Sequence, residues 1–179
     1  RWIPTVTAPG DTIASSWYTQ ASQCSSQISG TTHSWCSGTS MAAPQVSGAI
    51  ALITEWWRNE NGGATPSPAM AKAILVNSAV DMGTADIPNI NEGWGRVNTT
   101  NAIQPAAMTL YRDQSDVFNA TGDQLTLTVS PIEPTEPIKI TLNWSEPPGA
   151  VGANPALVNN LDLTVDDGGS TYLGNVFSL

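Results

Sequence analysis

The sequence is poor in charged residues, and basic residues are the scarcest. Charged side chains make up 12% of 179 residues, with six lysines and arginines against fifteen acidic residues and a net charge of −9. So low a charge content is not typical of disordered chains, which are usually rich in charge. So few basic residues also leave the chain without the electrostatic footprint of a nucleic-acid binder, and anionic lipid surfaces would repel it. We therefore expect a folded protein whose partners include neither nucleic acid nor membranes.

Long apolar runs are also absent, whereas turn-forming residues are plentiful. No run of 18 or more apolar residues occurs, so no membrane span is predicted. Thirteen prolines and fifteen glycines imply many turns and argue against a simple helical bundle. The sequence begins at Arg1 without a basic and apolar leader, and it stops within the apolar stretch 175–179. We expect it to be an interior piece of a longer protein.

The two cysteines are few enough to be considered as one pair. Cys24 and Cys36 are twelve positions apart, and no paired cysteine or histidine pattern predicts a zinc site. Two interpretations stay open: two buried free thiols, or a local disulfide that closes the polar segment between them. The disulfide is favoured because a polar loop of this kind needs a cross-link to hold it in one conformation. Closing the loop could stabilise the fold by roughly 3 kcal/mol. The disulfide would place the protein in an oxidising compartment.

Helical periodicity is clearest over about residues 39–59. This segment is apolar almost all round, which predicts a buried helix, and Gly62-Gly63 ends it. The pair Ser67-Pro68, a cap residue followed by a proline at the first helical position, predicts a second helix that reaches about Ala79.

From about residue 106 onwards the periodicity becomes that of β-strands. Apolar and polar residues alternate in three segments separated by turn-rich sequence: 125–129, 138–142 and 161–165. The pattern predicts an antiparallel all-β sandwich or barrel with one buried face. We expect one domain over residues 1–106 and a β domain over residues 107–179.

The segment that carries chemistry is Gly38-Thr39-Ser40-Met41-Ala42-Ala43-Pro44, at the predicted start of the first helix. A hydroxyl there lies beside unpaired N–H groups and the positive end of the helix dipole. Acyl transfer needs this combination of a nucleophile and donors for the developing oxyanion. Ser40 is therefore the candidate nucleophile, whereas an isolated Gly-Thr-Ser tripeptide would be interpreted as a helix cap.

This segment resembles the serine motif G-T-S-M-A-x-P of the subtilisin-like serine proteases. Residues 6–10 are similar to the strand and turn that precede that serine, and residues 93–98 to the family's G-x-G-x-[VI]-[ND] segment. The resemblance covers about residues 3–104 and implies part of a three-layer α/β fold of subtilisin type. It also implies a serine endopeptidase in which Ser40 is catalytic and its backbone N–H contributes to the oxyanion hole.

The family's triad Asp and His precede the serine by long distances, and this sequence contains neither motif. We interpret His33, the single histidine, as a loop residue, and Asp81 and Asp86 as loop acids. Gln45 stands where many members have His, outside the triad. The parent protein is expected to cleave proteins or peptides, and this chain alone to be inactive without the remainder of its catalytic domain. The alternative is a non-catalytic pseudoprotease or β binding module.

The second half also carries a resemblance. Residues 140–149, 157–163 and 172–175 look like the C-terminal β-barrel or jelly-roll domain of some larger subtilisin-like proteases, here truncated. No cofactor is firmly implied, and calcium is considered only as a structural ion. Its candidate oxygen ligands are Asn159, Asn160, Asp162, Asp166 and Asp167. The favoured interpretation is that these side chains are solvated and bind no ion. The favoured disulfide and the resemblance together predict a secreted, extracellular protein.

Overall fold

A computed structural model describes residues 4–17, 24, 27–83, 86–105, 108–132, 135 and 137–176. The chain divides into two compact units, Arg1–Thr141 and Leu142–Leu179. The elements of the first unit, in chain order, are the antiparallel strands β1 (Ile13–Ser16) and β2 (His33–Cys36) and the helices α1 (Thr39–Glu60), α2 (Pro68–Asn77) and α3 (Thr99–Ile103). The second unit contains the antiparallel pair β3 (Thr164–Asp166) and β4 (Thr171–Leu173). This mixture of helices and small sheets fits a partial α/β fold.

Helix α1 occupies the segment that the periodicity predicts. It ends where the Asn61 N–H donates to the Trp57 carbonyl (2.9 Å), and Gly62 then takes a left-handed φ of +60°. Arg58 in the last turn complements the negative end of the helix dipole. Although α1 is the longest helix, no helix of the described residues is long and apolar enough to cross a membrane.

One face of α1 forms the core of the first unit together with α2 and α3. The buried residues of this cluster are Ala49, Ile53, Trp57, Met70, Ile74, Leu75 and Ala102. Ile53 is fully buried, and burial of a side chain of this size contributes about 1.5–3 kcal/mol. Its neighbour Leu52 is 50% exposed. The prediction of a helix buried all round is therefore not met in the described residues, because the neighbouring helices cover a single face of α1.

Helix α2 begins as the pair Ser67-Pro68 predicts. Ser67 Oγ accepts a hydrogen bond from the Met70 N–H (3.0 Å), and Asp113 Oδ2 accepts one from the Ser67 N–H (2.8 Å). Pro68 at the first helical position has no N–H that would need a partner. A side-chain cap of this kind stabilises a helix by about 1 kcal/mol.

The predicted strands at 125–129 and 138–142 are not strands in the structure. Among the described residues of 108–163 no strand forms, and the alternating apolar side chains stay exposed, for example Leu127 at 47% and Ile138 at 58%. A strand needs a hydrogen-bonded neighbour and a cover for its apolar face, and the described residues supply neither here. The β domain over 107–179 and its boundary at 106 stay predictions.

Candidate active site

Ser40 is the second residue of α1 and is exposed. Gly38 is the N-cap residue immediately before the helix, and its φ of 146° is a conformation that residues with a Cβ rarely adopt. The Met41 N–H donates to the Gly38 carbonyl (3.0 Å) and closes the first turn. Pro44 lacks an N–H, so the Ser40 carbonyl has no amide partner one turn further on. The hydroxyl therefore lies at a helix N-terminus, where a developing negative charge is favoured.

Residues 9–12, here named the clasp, are hydrogen-bonded to the chain on both sides of Ser40. The four bonds run from Gly38 N to the Gly10 carbonyl (2.6 Å), from Thr12 N to Ser37 Oγ (2.8 Å), from Ser37 Oγ to Asp11 Oδ1 (2.7 Å) and from Gln45 Nε2 to the Pro9 carbonyl (2.6 Å). The hydroxyl of Ser37, followed by that of Thr12, lowers the pKa of Asp11 by bonding to its charged form.

The sequence did not single out Asp11 or Ser37, and it placed Gln45 outside the triad. Asp11 and Ser37, which bond to each other, are 26 positions apart along the chain, and Gln45 is 36 positions from its partner Pro9. Polar residues in loops are common, and nothing in their local sequence signals which distant carbonyl or hydroxyl they will meet. The contacts could be found only once the fold had brought the two segments together.

The disulfide interpretation of the cysteines is confirmed. Cys24 and Cys36 are bonded, and no free cysteine exists in the chain. Cys36 is 3% exposed and is the last residue of β2, four positions before Ser40. The bridge thus closes the polar loop and anchors it to the strand that leads into the serine segment.

His33 is the first residue of β2 and is exposed. Its backbone pairs with Ser16 across the two-stranded sheet, at the end of β2 opposite to Cys36. Across the part of the chain that the structure describes, the side chains of His33 and Ser40 share no hydrogen bond. The structure thus places His33 in a strand, whereas the sequence predicted a loop residue, because the backbone of residues 33–36 pairs with that of residues 13–16. That His33 is not the base stays a prediction.

Residues 93–98 pack against the segment that leads into the clasp. The contacts run from Trp94 N to the Thr5 carbonyl (2.9 Å), from Thr7 N to the Gly95 carbonyl (3.0 Å) and from Val97 N to the Thr7 carbonyl (2.9 Å). Arg96 pairs with Thr7 on one side and with Val80 on the other. The three segments that carry the resemblance, 6–10, 38–44 and 93–98, are therefore linked by backbone contacts through the first of them.

Three carboxyl groups lie together beside this segment. The ligand oxygens of Asp81, Asp86 and Glu92 are within 4.8 Å of one another, and carboxylates of this kind can hold calcium. Glu92, which the sequence did not single out, is 5% exposed and accepts hydrogen bonds from Met82 N (3.0 Å) and Asn89 Nδ2 (3.0 Å). Asp81 accepts from the Asp86 N–H (3.1 Å), and its other oxygen is buried without a partner among the described residues.

Of the aspartates considered for calcium in the second unit, Asp166 is the last residue of β3 and Asp167 lies in the turn between β3 and β4. Asp166 Oδ1 accepts from the Gly168 N–H (2.7 Å). Asp167 Oδ1 accepts from the N–H groups of Gly169 (2.9 Å) and Ser170 (2.7 Å), and these bonds lower the pKa of Asp167. Both carboxylates are thus engaged by backbone amides, as is common for aspartate in a tight turn.

Comparison with known proteins identifies the family. The model of the subtilase family, Peptidase_S8, matches residues 1–95, which is more than half of the chain. The matched part includes the clasp, the serine segment and the turn at residues 93–95. The chain belongs to the subtilase family.

Individual relatives agree with this assignment. The chain is 30% identical over 202 residues to the serine protease/ABC transporter B family protein tagA of Dictyostelium discoideum, covering 98% of this chain and 11% of the relative. It is 32% identical to the subtilisin-like protease SBT2.3 of Arabidopsis thaliana (66% and 17%) and 38% identical to an extracellular serine proteinase of a Thermus species (50% and 16%). The chain thus spans 11–17% of the length of these relatives.

Proposed function

We propose that this chain is part of a serine endopeptidase and that Ser40 is its nucleophile. The observation that carries the proposal is the Gly38–Pro44 motif at the start of α1, with an exposed Ser40, in a chain of the subtilase family. A relative named as a subtilisin-like protease and another named as an extracellular serine proteinase support it. The substrates would be peptide bonds of proteins or peptides.

The chemistry follows from the position of the hydroxyl. Ser40 Oγ attacks the carbonyl carbon of the peptide bond while its proton passes to a histidine base, which an aspartate orients. Negative charge develops on the carbonyl oxygen, where the Ser40 N–H and the N-terminus of α1 stabilise it. The histidine then protonates the leaving amine, and water hydrolyses the acyl-enzyme. We place the aspartate and histidine in the preceding part of the full-length protein.

This division of the triad makes the isolated chain inactive. A serine hydroxyl is a weak nucleophile when no base accepts its proton. Residues 1–104 would therefore need the remainder of their own catalytic domain as a structural partner. The exposed face of α1, which includes Leu52, supports this because a largely apolar helix is expected to be covered in the complete protein.

We further propose that residues 107–179 belong to a C-terminal β domain of the same protein and that the protein is secreted. The alternation of apolar and polar residues supports the domain. The Cys24–Cys36 disulfide and the extracellular name of the Thermus relative support secretion.

Replacement of Ser40 by alanine in the full-length protein tests the central proposal. Hydrolysis of a peptide substrate should fall by a factor on the order of 10⁶ in kcat, the size of the loss when subtilisin loses its catalytic serine. A fluorophosphonate probe should label the wild type at Ser40 and leave Ser40→Ala unlabelled. Ser47→Ala is a matched control, since Ser47 lies about two helical turns beyond Ser40 in α1 and its Oγ donates to the Ala43 carbonyl.

The outcomes separate the two candidate functions. A Ser40→Ala protein that keeps a tenth of wild-type activity would remove Ser40 from the nucleophile role. A folded full-length protein that neither reacts with the probe nor cleaves peptides would support the non-catalytic alternative, a pseudoprotease or β binding module.

A further inference from the structure

The clasp bonds the chain immediately before and shortly after Ser40. Ser37 and Gly38, which precede Ser40, are hydrogen-bonded to the clasp. Gln45, which lies more than one helical turn after Ser40, is hydrogen-bonded to it as well. The hydrogen-bond partners of all three residues therefore belong to a single four-residue segment. A displacement of the clasp would therefore move the start of α1 as a whole, and with it the Ser40 hydroxyl and N–H.

The backbone of the clasp has little freedom to move. Thr12 has a φ of +51°, which is an outlier for a β-branched residue and is energetically unfavourable. Its N–H is held in that conformation by Ser37 Oγ (2.8 Å). A Cβ at Gly10 would lie 2.8 Å from the Gly38 carbonyl oxygen and 3.3 Å from the Ala42 Cβ, so clasp and helix start are in direct contact. Strain of this kind persists only where surrounding contacts over-determine the conformation.

We propose that the clasp sets the position of Ser40 and that Gln45 and Ser37 are positioning residues for the reaction. The inference rests on the proposed function of Ser40. Neither side chain needs to touch substrate, since each acts through the backbone that carries the serine. Small misplacements of a reacting group cost large factors in rate, so contacts of ordinary strength can matter here.

Gln45 offers the sharper test because its amide can be exchanged for an isosteric group. In Gln45→Glu a carboxylate oxygen replaces the amide nitrogen and faces the Pro9 carbonyl, so an attraction at 2.6 Å becomes a repulsion. Gln45→His offers a ring N–H in its place. Glu55→Gln is the control, because Glu55 is an exposed residue of the same helix and the change is the reverse isosteric exchange.

The measurements are kcat and KM for a peptide substrate, the rate of fluorophosphonate labelling of Ser40, and the melting temperature, all on the full-length protein. We expect Gln45→Glu to lower kcat and the labelling rate about tenfold with KM unchanged, as for an interaction felt in the transition state. Gln45→His should restore most of both rates, and Glu55→Gln should match the wild type.

Ser37→Ala tests the other side of the clasp and covers the case in which Gln45→Glu fails to fold. It removes the acceptor of the Thr12 N–H and the donor to Asp11, and it should lower the labelling rate about tenfold as well. If each variant that folds lowers only the melting temperature and labels as fast as Glu55→Gln, the clasp is merely structural and the inference is wrong. Persistent labelling or hydrolysis in Ser40→Ala would instead refute the proposed function.

Discussion

Gly93 tests the packing of residues 93–98 against the segment before the clasp. A Cβ added there would lie 2.1 Å from the Pro4 carbonyl oxygen and 2.5 Å from that of Thr5, and φ is +62°. The left-handed conformation alone costs a residue with a Cβ about 1–2 kcal/mol. The overlap adds about 1–3 kcal/mol, because both neighbours are backbone oxygens that cannot rotate away.

Gly93→Ala is therefore expected to lower the free energy of unfolding by about 2–5 kcal/mol. Gly62→Ala is the matched control: its φ is +60°, but an added Cβ would meet no atom within 4 Å. In that variant the free energy of unfolding should fall only by the cost of the left-handed conformation, about 1–2 kcal/mol. The difference between the two isolates the contact with residues 4–5.

The assay is urea unfolding of the full-length protein, followed by tryptophan fluorescence. The midpoint should shift without a change in the slope with urea, which would indicate an effect on stability rather than on the unfolded chain. A loss for Gly93→Ala within about 0.5 kcal/mol of that for Gly62→Ala would refute the reasoning. The two segments would then not be packed as closely as the Cβ distances indicate.

Two further predictions concern the disulfide and a turn. Replacing both Cys24 and Cys36 by alanine should lower the free energy of unfolding by about 2–3 kcal/mol, as expected for a short closed loop, and unreduced peptide mapping should show the bridge in the wild type. Asp167 should contribute stability that is present above its unfolded-state pKa and lost as the pH falls through its folded-state pKa, because hydrogen bonds, first that from the Gly169 N–H, lower the folded-state value. Asp167→Asn should therefore flatten the loss of stability on acidification below about pH 4, measured by urea unfolding at each pH.

Each of these predictions has an outcome that contradicts it. Both cysteines fully alkylated without reductant would show that the bridge does not form in the protein. An identical pH dependence for the wild type and Asp167→Asn would mean that the turn does not hold the Asp167 carboxylate. Asp162→Asn is a suitable control for the second experiment, since Asp162 is an exposed acid of the same unit.

Local sequence determined the elements whose signals are short-range. The periodicity of residues 39–59 predicted α1 within a residue or two, and Ser67-Pro68 predicted the start of α2 because cap and proline act within one turn. The disulfide was favoured over free thiols for a similar reason, as the loop between Cys24 and Cys36 is short and polar. The serine motif identified Ser40 as a candidate through its resemblance to a family.

Tertiary structure decided what depends on distant partners. Alternation at 125–129 and 138–142 predicted strands, yet a strand exists only when another strand takes up its hydrogen bonds, and local sequence does not contain that partner. The burial of one face of α1 rather than all of it follows from where α2 and α3 pack. The clasp is the clearest case: Gln45 and the Pro9 carbonyl lie 36 positions apart, and only the path of the chain brings donor and acceptor to 2.6 Å.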